Sequence, residues 1–267
     1  MSFSIIIISY NTKKLLINCL NSIFNNFKNN PCEIIIVDNA SNDGSAEFIK
    51  SSYPSVLLVE NKENNGFGAA NNRGAKIAQG DILFFLNPDT LIQDDVFQKI
   101  VEVFAADPGV AIAAPQLVLA DGSAQSWAYG WDRGIWEALT NKFKNREPSH
   151  QLNNSALKVD WVSGAALIIR REIFEKIGGF DEKFFMYFED RDLCERVRKI
   201  GYRVVVLPGK KVIHLGGKSL NESQKRKGLY YQSQNYYWQK KYGFFVSLAL
   251  RLVRWPYKFY ILKILCG

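Results

Sequence analysis

The feature that most constrains this chain is a series of short, unbroken β-branched and apolar runs separated by helix-length segments. Residues 4–9 (SIIIIS), 33–37 (EIIIV), 56–60 (VLLVE) and 82–86 (ILFFL) lack the alternation of a half-exposed strand. They read as strands covered on both faces. Between them, helices are expected over 13–27 behind Asn11-Thr12, from Ser45 through Ser51, and over 68–79 closed by Gly80. A helix around 94–106 and a strand around 110–115 complete a first half. Strand-helix alternation with short connections implies an α/β fold built on a mostly parallel, Rossmann-like sheet flanked by helices. Such sheets bind ligands beyond the carboxyl ends of their strands. The polar clusters fall there: Tyr10-Asn11, Asp38 to Asp43, and Asn87 to Asp89.

The second half is less regular. Residues 121–160 hold Trp127, Trp131 and Trp136 in a loop-rich excursion. Then follow 159–169, a helix near 171–177, the Gly179-Phe180-Asp181 turn and the acidic run Glu189-Asp190-Arg191-Asp192. A helix around 192–200, a strand at 203–207 and His214 come after it.

Several classes are excluded. No G-x-G-x-x-G follows the first strand and no G-x-x-x-x-G-K-[ST] occurs, so dinucleotide and P-loop chemistry lose their main support. A nucleotidyltransferase would carry a glycine-rich basic loop after the first strand, and SYNTKK lacks the glycines. The cysteines Cys19, Cys32, Cys194 and Cys266 have no C-x-x-C spacing, which argues against a zinc ribbon or disulfide framework and fits a reducing cytosol. The start of the chain is expected to be a buried strand and not a signal peptide, because no basic region precedes Phe3.

A divalent cation is then the obvious means of holding a diphosphate against protein carboxylates. Asn87-Pro88-Asp89 places an amide and a carboxylate just after a strand, an arrangement that a Pro-containing turn also explains. His214 is a candidate metal ligand to complete a site with Asp89. Glu189, Asp190 and Asp192 pack three carboxylates into four residues, and like charges this close raise one another's pKa. Asp192 fits the first turn of a helix, whose dipole favours acids. Asp190, at the edge of the aromatic run 184–188, fits a general base.

These segments in this order resemble the family 2 glycosyltransferases, specifically their rhamnosyltransferase-like branch with the GT-A fold. The resemblance rests on SIIIISYNT (4–12), IIIVDNASNDGS (34–45), NNGFGAANNRG (64–74), LFFLNPDT (83–90), the stretch 161–204 and HLGG (214–217). It implies a GT-A catalytic domain over 1–217, with a nucleotide-binding half at 1–115 and an acceptor-binding half at 116–217. Tyr10, Asn11, Asp38, Ser41 and Asp43 are implied to hold base and ribose, and Gly66, Phe67 and Asn72 to wall the base and diphosphate. Asn87 and Asp89 stand at the family's metal-binding D-x-D, with Asp89 and His214 as ligands to Mg²⁺ or Mn²⁺. Asp190 is implied as catalytic base, and Trp161, Gly164, Phe180, Asp181 and Glu189 as parts of the acceptor pocket. The implied reaction is inverting transfer, of L-rhamnose from dTDP-L-rhamnose or of a hexose from UDP, to a bacterial surface-polysaccharide precursor that is lipid-linked or an oligosaccharide.

The chain's net charge of +8 is unevenly spread. Residues 210–267 carry 12 Lys/Arg against the single acid Glu222, a local net of +11, which leaves −3 for residues 1–209. In the expected helical extension at 218–267, Phe245, Leu248, Ala249 and Leu252 fall on one helical face and Arg251, Arg254 and Lys258 on another, with Trp255 and Tyr257 nearby. The pattern suits a helix on an anionic membrane surface, at the cytoplasmic face of the cell membrane. Packing against the core or a second subunit explains the apolar face equally. A nucleic-acid-binding module using the tail is the competing reading, and the acidic strand-end clusters argue against nucleic acid as a partner.

Overall fold

The computed structural model describes residues 1–26, 32–93, 95–132, 134–135, 156–216 and 223–253. β1 (Phe3–Ser9) is buried along its whole length, as a strand without alternation must be when helices cover both faces. It pairs in parallel with β2 (Cys32–Asp38) on one side and β4 (Ile82–Leu86) on the other; β2 pairs with β3 (Leu57–Glu60) at the edge. Helices α1 (Lys13–Asn26), α2 (Ser45–Ser52) and α3 (Phe67–Ile77) make the crossovers. α4 (Val96–Ala106) starts on Asp95, whose side chain accepts from the amides of Phe97 and Gln98, an ordinary N-cap.

The sheet continues through β10 (Ala166–Arg170), antiparallel to both β4 and β6 (Val110–Val118). Beyond β6 lie β11 (Arg203–His214) and then β5 (Thr90–Ile92), so the order is β3-β2-β1-β4-β10-β6-β11-β5. The strand expected at 203–207 therefore runs on to His214. A register shift between Val206 and Lys211 lets its two halves meet different partners. The first half pairs with β8 (Leu157–Val159), the second with β5. A separate two-stranded sheet joins β7 (Tyr129–Gly130) to β9 (Trp161–Val162). Helices α5 (Arg171–Lys176) and α6 (Glu189–Lys199) follow, and α6 begins three residues earlier than its sequence indicates. Cys19, Cys32 and Cys194 are free thiols.

The C-terminal segment packs on this frame. α7 (Ser223–Tyr242) joins a second apolar cluster in which Phe184 and Phe188 meet Tyr237, Trp238 and Leu250. Lys240 Nζ lies 2.6 Å from Asp181 Oδ2 and 2.7 Å from Asp192 Oδ1, and the Tyr237 hydroxyl donates to Glu195 Oε2 at 2.7 Å. A helical stretch over 244–253, α8, buries Ser247 and Leu250 while Phe245 is 83% and Leu252 58% exposed. Leu248 and Ala249 are exposed with them, so the apolar face read from the sequence is the one that α8 leaves uncovered. Arg254, Trp255, Tyr257 and Lys258 lie outside the described residues, as do Trp136 and Cys266. Among the described residues no helix is long and apolar enough to cross a membrane.

Candidate active site

A cavity of about 360 Å³ opens at the carboxyl ends of the strands, where a doubly wound sheet places its ligands. Asp89 and His214, 125 positions apart in the chain, meet here because β5 begins directly after Asp89 and pairs with the last residues of β11. Thr90 lies opposite His214 in that ladder, and the Leu215 amide donates to the Asp89 carbonyl at 2.9 Å. His214 Nε2 stands 3.3 Å from Asp89 Oδ1. Nδ1 of the same ring is 2.8 Å from Gln125 Oε1. A hydrogen on Nδ1 donated to that amide oxygen leaves the Nε2 lone pair facing Asp89.

The donor set fits a divalent cation. Asp89 is 2% exposed and its Oδ1 has no hydrogen-bond partner, an arrangement that costs stability unless a cation or proton donor compensates. No group of three or more His, Cys, Asp or Glu placed to hold a metal occurs among the described residues. Asp89 and His214 would thus offer a cation one carboxylate and one imidazole.

Asp190 sits in the first turn of α6. Its Oδ2 accepts from the Gly164 amide at 2.9 Å and its Oδ1 from the Arg191 amide at 2.7 Å. Burial raises its pKa, and these two amides only partly oppose the rise. Glu189 beside it is 5% exposed with Oε2 unpartnered; burial and then the Asp190 charge push its carboxyl well above the usual range. Tyr187 and Phe188 reach this turn with φ of 73° and 69°, a conformation rare for bulky residues and held here by tertiary packing. The Arg191 guanidinium stacks over Trp161 at 4.9 Å and Phe188 at 5.5 Å from the ring centroids.

Of the residues expected at the site, Tyr10, Gly66, Phe67, Asn87, Asp89, Trp161, Gly164, Glu189, Asp190 and His214 line this cavity. The others stand outside its lining. Asp38 lies one residue behind the wall, bonded by Oδ1 to the Ser41 amide and with a buried, unpartnered Oδ2. The Ser41 hydroxyl accepts from the Asn11 amide, and the Asn11 side chain accepts from the Asn42 amide. Asp43 ties two helix starts together, accepting from the Lys13 amide at 2.8 Å and from Ser45. Burial would raise its pKa, but these hydrogen bonds prevail and hold it low.

Asn72 clamps the Gly179-Phe180 turn instead of walling a base: its amide bonds both the N–H and the C=O of Phe180. Phe180 is 2% exposed and packs on Phe67, Phe85 and Phe174, so it is core. Asp181 is committed to Tyr236 and Lys240 of α7. Sequence reasoning missed Asn39, Asn64, Tyr187, Arg191, Arg226 and Tyr230, all on the cavity, and Gln125 behind His214. Trp127 was singled out only as part of its loop, and it too lines the cavity.

Comparison with known proteins agrees with this architecture. Residues 4–178 match the model of glycosyl transferase family 2, and residues 148–217 match the N-terminal domain of galactosyltransferase. The N-acetylglucosaminyl-diphospho-decaprenol L-rhamnosyltransferase of Mycobacterium tuberculosis is 31% identical over 206 residues, 69% of this chain and 66% of that protein. The O-antigen chain rhamnosyltransferase WbaN of Salmonella anatum is 25% identical over 219 residues, 80% of this chain and 66% of its own. The chain thus spans about two-thirds of the length of these curated relatives. Among solved structures, the mannosyltransferase PcManGT from Pyrobaculum calidifontis in complex with GDP-Man and Mn²⁺ superposes with a TM-score of 0.59 at 20% identity, over 81% of this chain and 57% of that one. GalNAc-T7 with UDP, GalNAc and Mn²⁺ gives 0.64 at 18%, over 80% and 43%. At these identities the likeness carries the fold, which is GT-A. With two-thirds of its length matched by the family's model and its sheet ends carrying the family's polar clusters, the chain belongs to glycosyl transferase family 2.

Proposed function

We propose that this chain is an inverting, metal-dependent glycosyltransferase that moves a sugar, L-rhamnose from dTDP-L-rhamnose, to a hydroxyl of a lipid-diphosphate-linked precursor of a bacterial surface polysaccharide. The observation that carries the reading is one cavity holding both an orphaned carboxylate–imidazole pair, Asp89 with His214, and a buried carboxylate of raised proton affinity, Asp190. The names of the relatives favour rhamnose over a UDP-hexose, which the same scaffold accommodates in principle.

Asp190 takes the proton from the acceptor hydroxyl as its oxygen bonds to the anomeric carbon. The bond from that carbon to the diphosphate breaks, and the nucleoside diphosphate departs with the electron pair. Attack opposite the leaving group inverts the anomeric centre. Burial suits Asp190 to this task by bringing its pKa toward the working pH, while the Gly164 and Arg191 amides fix its orientation. Each carboxylate oxygen keeps a lone pair beyond its amide bond. Asp89 and His214 would hold a Mg²⁺ or Mn²⁺ ion, whose positive charge would favour departure of the diphosphate. The uncovered apolar face of α8 and the basic sequence of residues 210–267 support a position on the anionic inner face of the cell membrane, where a lipid-linked acceptor would be met.

The test is a panel of nucleotide sugars offered to purified protein with Mn²⁺, Mg²⁺ or EDTA, beside Asp190→Asn. Metal-dependent release of one nucleoside diphosphate is expected, with donor binding kept and turnover reduced about 10²–10⁴-fold in Asp190→Asn. Failure of every donor to bind with either metal refutes the reading.

A further inference from the structure

α7 presents Arg226, Tyr230, Ser233 and Tyr237 at i, i+4, i+7 and i+11, one face of the helix. This face is seated on the residues immediately before the Glu189-Asp190 turn. Ser233 Oγ donates to the Met186 carbonyl at 2.7 Å, and the Tyr230 ring lies 5.2 Å from Phe188 and 5.8 Å from Tyr187. The Tyr237 ring is 5.4 Å from Phe188. Tyr230, at the end of that seat, and Arg226, one turn before it, line the cavity. Burial raises the pKa of the Tyr187 hydroxyl, and the charge of Arg226 works against that rise, so the guanidinium acts on the Asp190 side of the site.

The charges of the cavity need such a group. Asp89, Glu189 and Asp190 are acids, His214 is engaged with Asp89 and Gln125, and the Arg191 guanidinium lies over the Trp161 ring. A second anion brought in beside Asp190 would meet two carboxylates, and Arg226 is the cation that the C-terminal helix delivers there. We propose that Arg226, with Tyr230, forms a subsite for the diphosphate group of the acceptor, so that α7 selects acceptors carrying that anion. The inference rests on the proposed glycosyl transfer and adds to it the residues that would take the acceptor's diphosphate on the Asp190 side of the cavity. The guanidinium fork suits a phosphate bidentately, which an ammonium cannot reproduce in full.

Titration calorimetry on the full chain tests this in two arms. The first titrates dTDP and UDP with Mn²⁺. The second titrates decyl diphosphate into protein already saturated with whichever nucleoside diphosphate binds. Arg226→Ala is expected to weaken decyl diphosphate by about 10-fold or more, the scale of a lost hydrogen bond to a charged group, and to leave the nucleoside diphosphate affinity unchanged. Arg226→Lys, which keeps the charge, is expected to retain part of the affinity, and it serves as the variant of record should Arg226→Ala not fold. Equal binding of decyl diphosphate by wild type and variants overturns the inference. So does a loss confined to the nucleoside diphosphate, which would assign Arg226 to the donor. If neither dTDP nor UDP binds wild type, the transferase reading has failed instead.

Discussion

Replacing Gly66 by alanine should disable the fold around the site far more than a one-carbon change suggests. Gly66 precedes α3 with φ 85° and ψ 177°, a region open in practice to glycine alone. A Cβ there would stand 2.9 Å from Phe185 Cα and closer still to the Phe185 carbonyl oxygen, which is backbone and has no rotamer to yield. Holding a side chain in that conformation costs about 1–3 kcal/mol. Forcing the two loops apart adds about 1–3 kcal/mol of overpacking. The hydrogen bond from the Phe67 amide to the Phe185 carbonyl, 2.8 Å, would be lost for about 1 kcal/mol more. Together these amount to about 3–7 kcal/mol against a typical total of about 5–15 kcal/mol. Urea denaturation of Gly66→Ala beside Gly122→Ala makes the comparison internal, because Gly122 also has positive φ (82°) but nothing within 4 Å of its Cβ position. Gly122→Ala pays only backbone strain, about 1–2 kcal/mol. If the two variants differ by less than about 1 kcal/mol, the claim that the 64–67 loop is locked against the 185–190 segment is wrong.

Three further outcomes are expected. Glu189→Gln should stabilise the protein at pH 8: the folded pKa is raised, so above about pH 4.3 the unfolded state releases the proton more readily and stability falls with pH, whereas below about pH 4.3 both states are protonated and the gain should vanish in a pH series of melts. Gln125→Leu should weaken Mn²⁺ binding by about 10–100-fold in a spin-resonance titration, with Gln125→Glu retaining it, since both Gln and Glu accept the Nδ1 hydrogen of His214. Phe245→Ser with Leu252→Ser should lower sedimentation with phosphatidylglycerol vesicles while changing stability by no more than about 0.5 kcal/mol per site, because both side chains are exposed.

How much of this was legible in the sequence depended on how local the cause was. Runs such as IIIIS and ILFFL declared doubly covered strands, and those strands formed within a residue or two of their expected limits. β5 was not legible: three residues carry no periodicity, and its partner is more than 100 positions away. The start of α6 moved because Tyr187 and Phe188 occupy positive φ, which nothing in their chemistry announces. Asn72, Phe180 and Asp181 stand near the site in sequence order, yet they hold the 179–181 turn and α7 in place and do not face the cavity. The strongly basic composition of the C-terminal segment drew attention to membranes. It masked Arg226, whose helical register with Tyr230 carries it to the cavity.

The β5–β11 ladder has a consequence for how the site is assembled in time. Asp89 and His214, the proposed metal pair, are joined by an edge strand of three residues that pairs with β11, the last strand in chain order among the described residues. Closing that contact spans a loop of more than 100 residues, so it belongs among the late events of folding and among the first contacts to open under native conditions. Cation binding at the proposed pair would therefore act on an edge of the sheet: the amides of 90–92 should exchange with deuterium by local opening in the apoprotein and slow markedly once a cation and nucleotide are added.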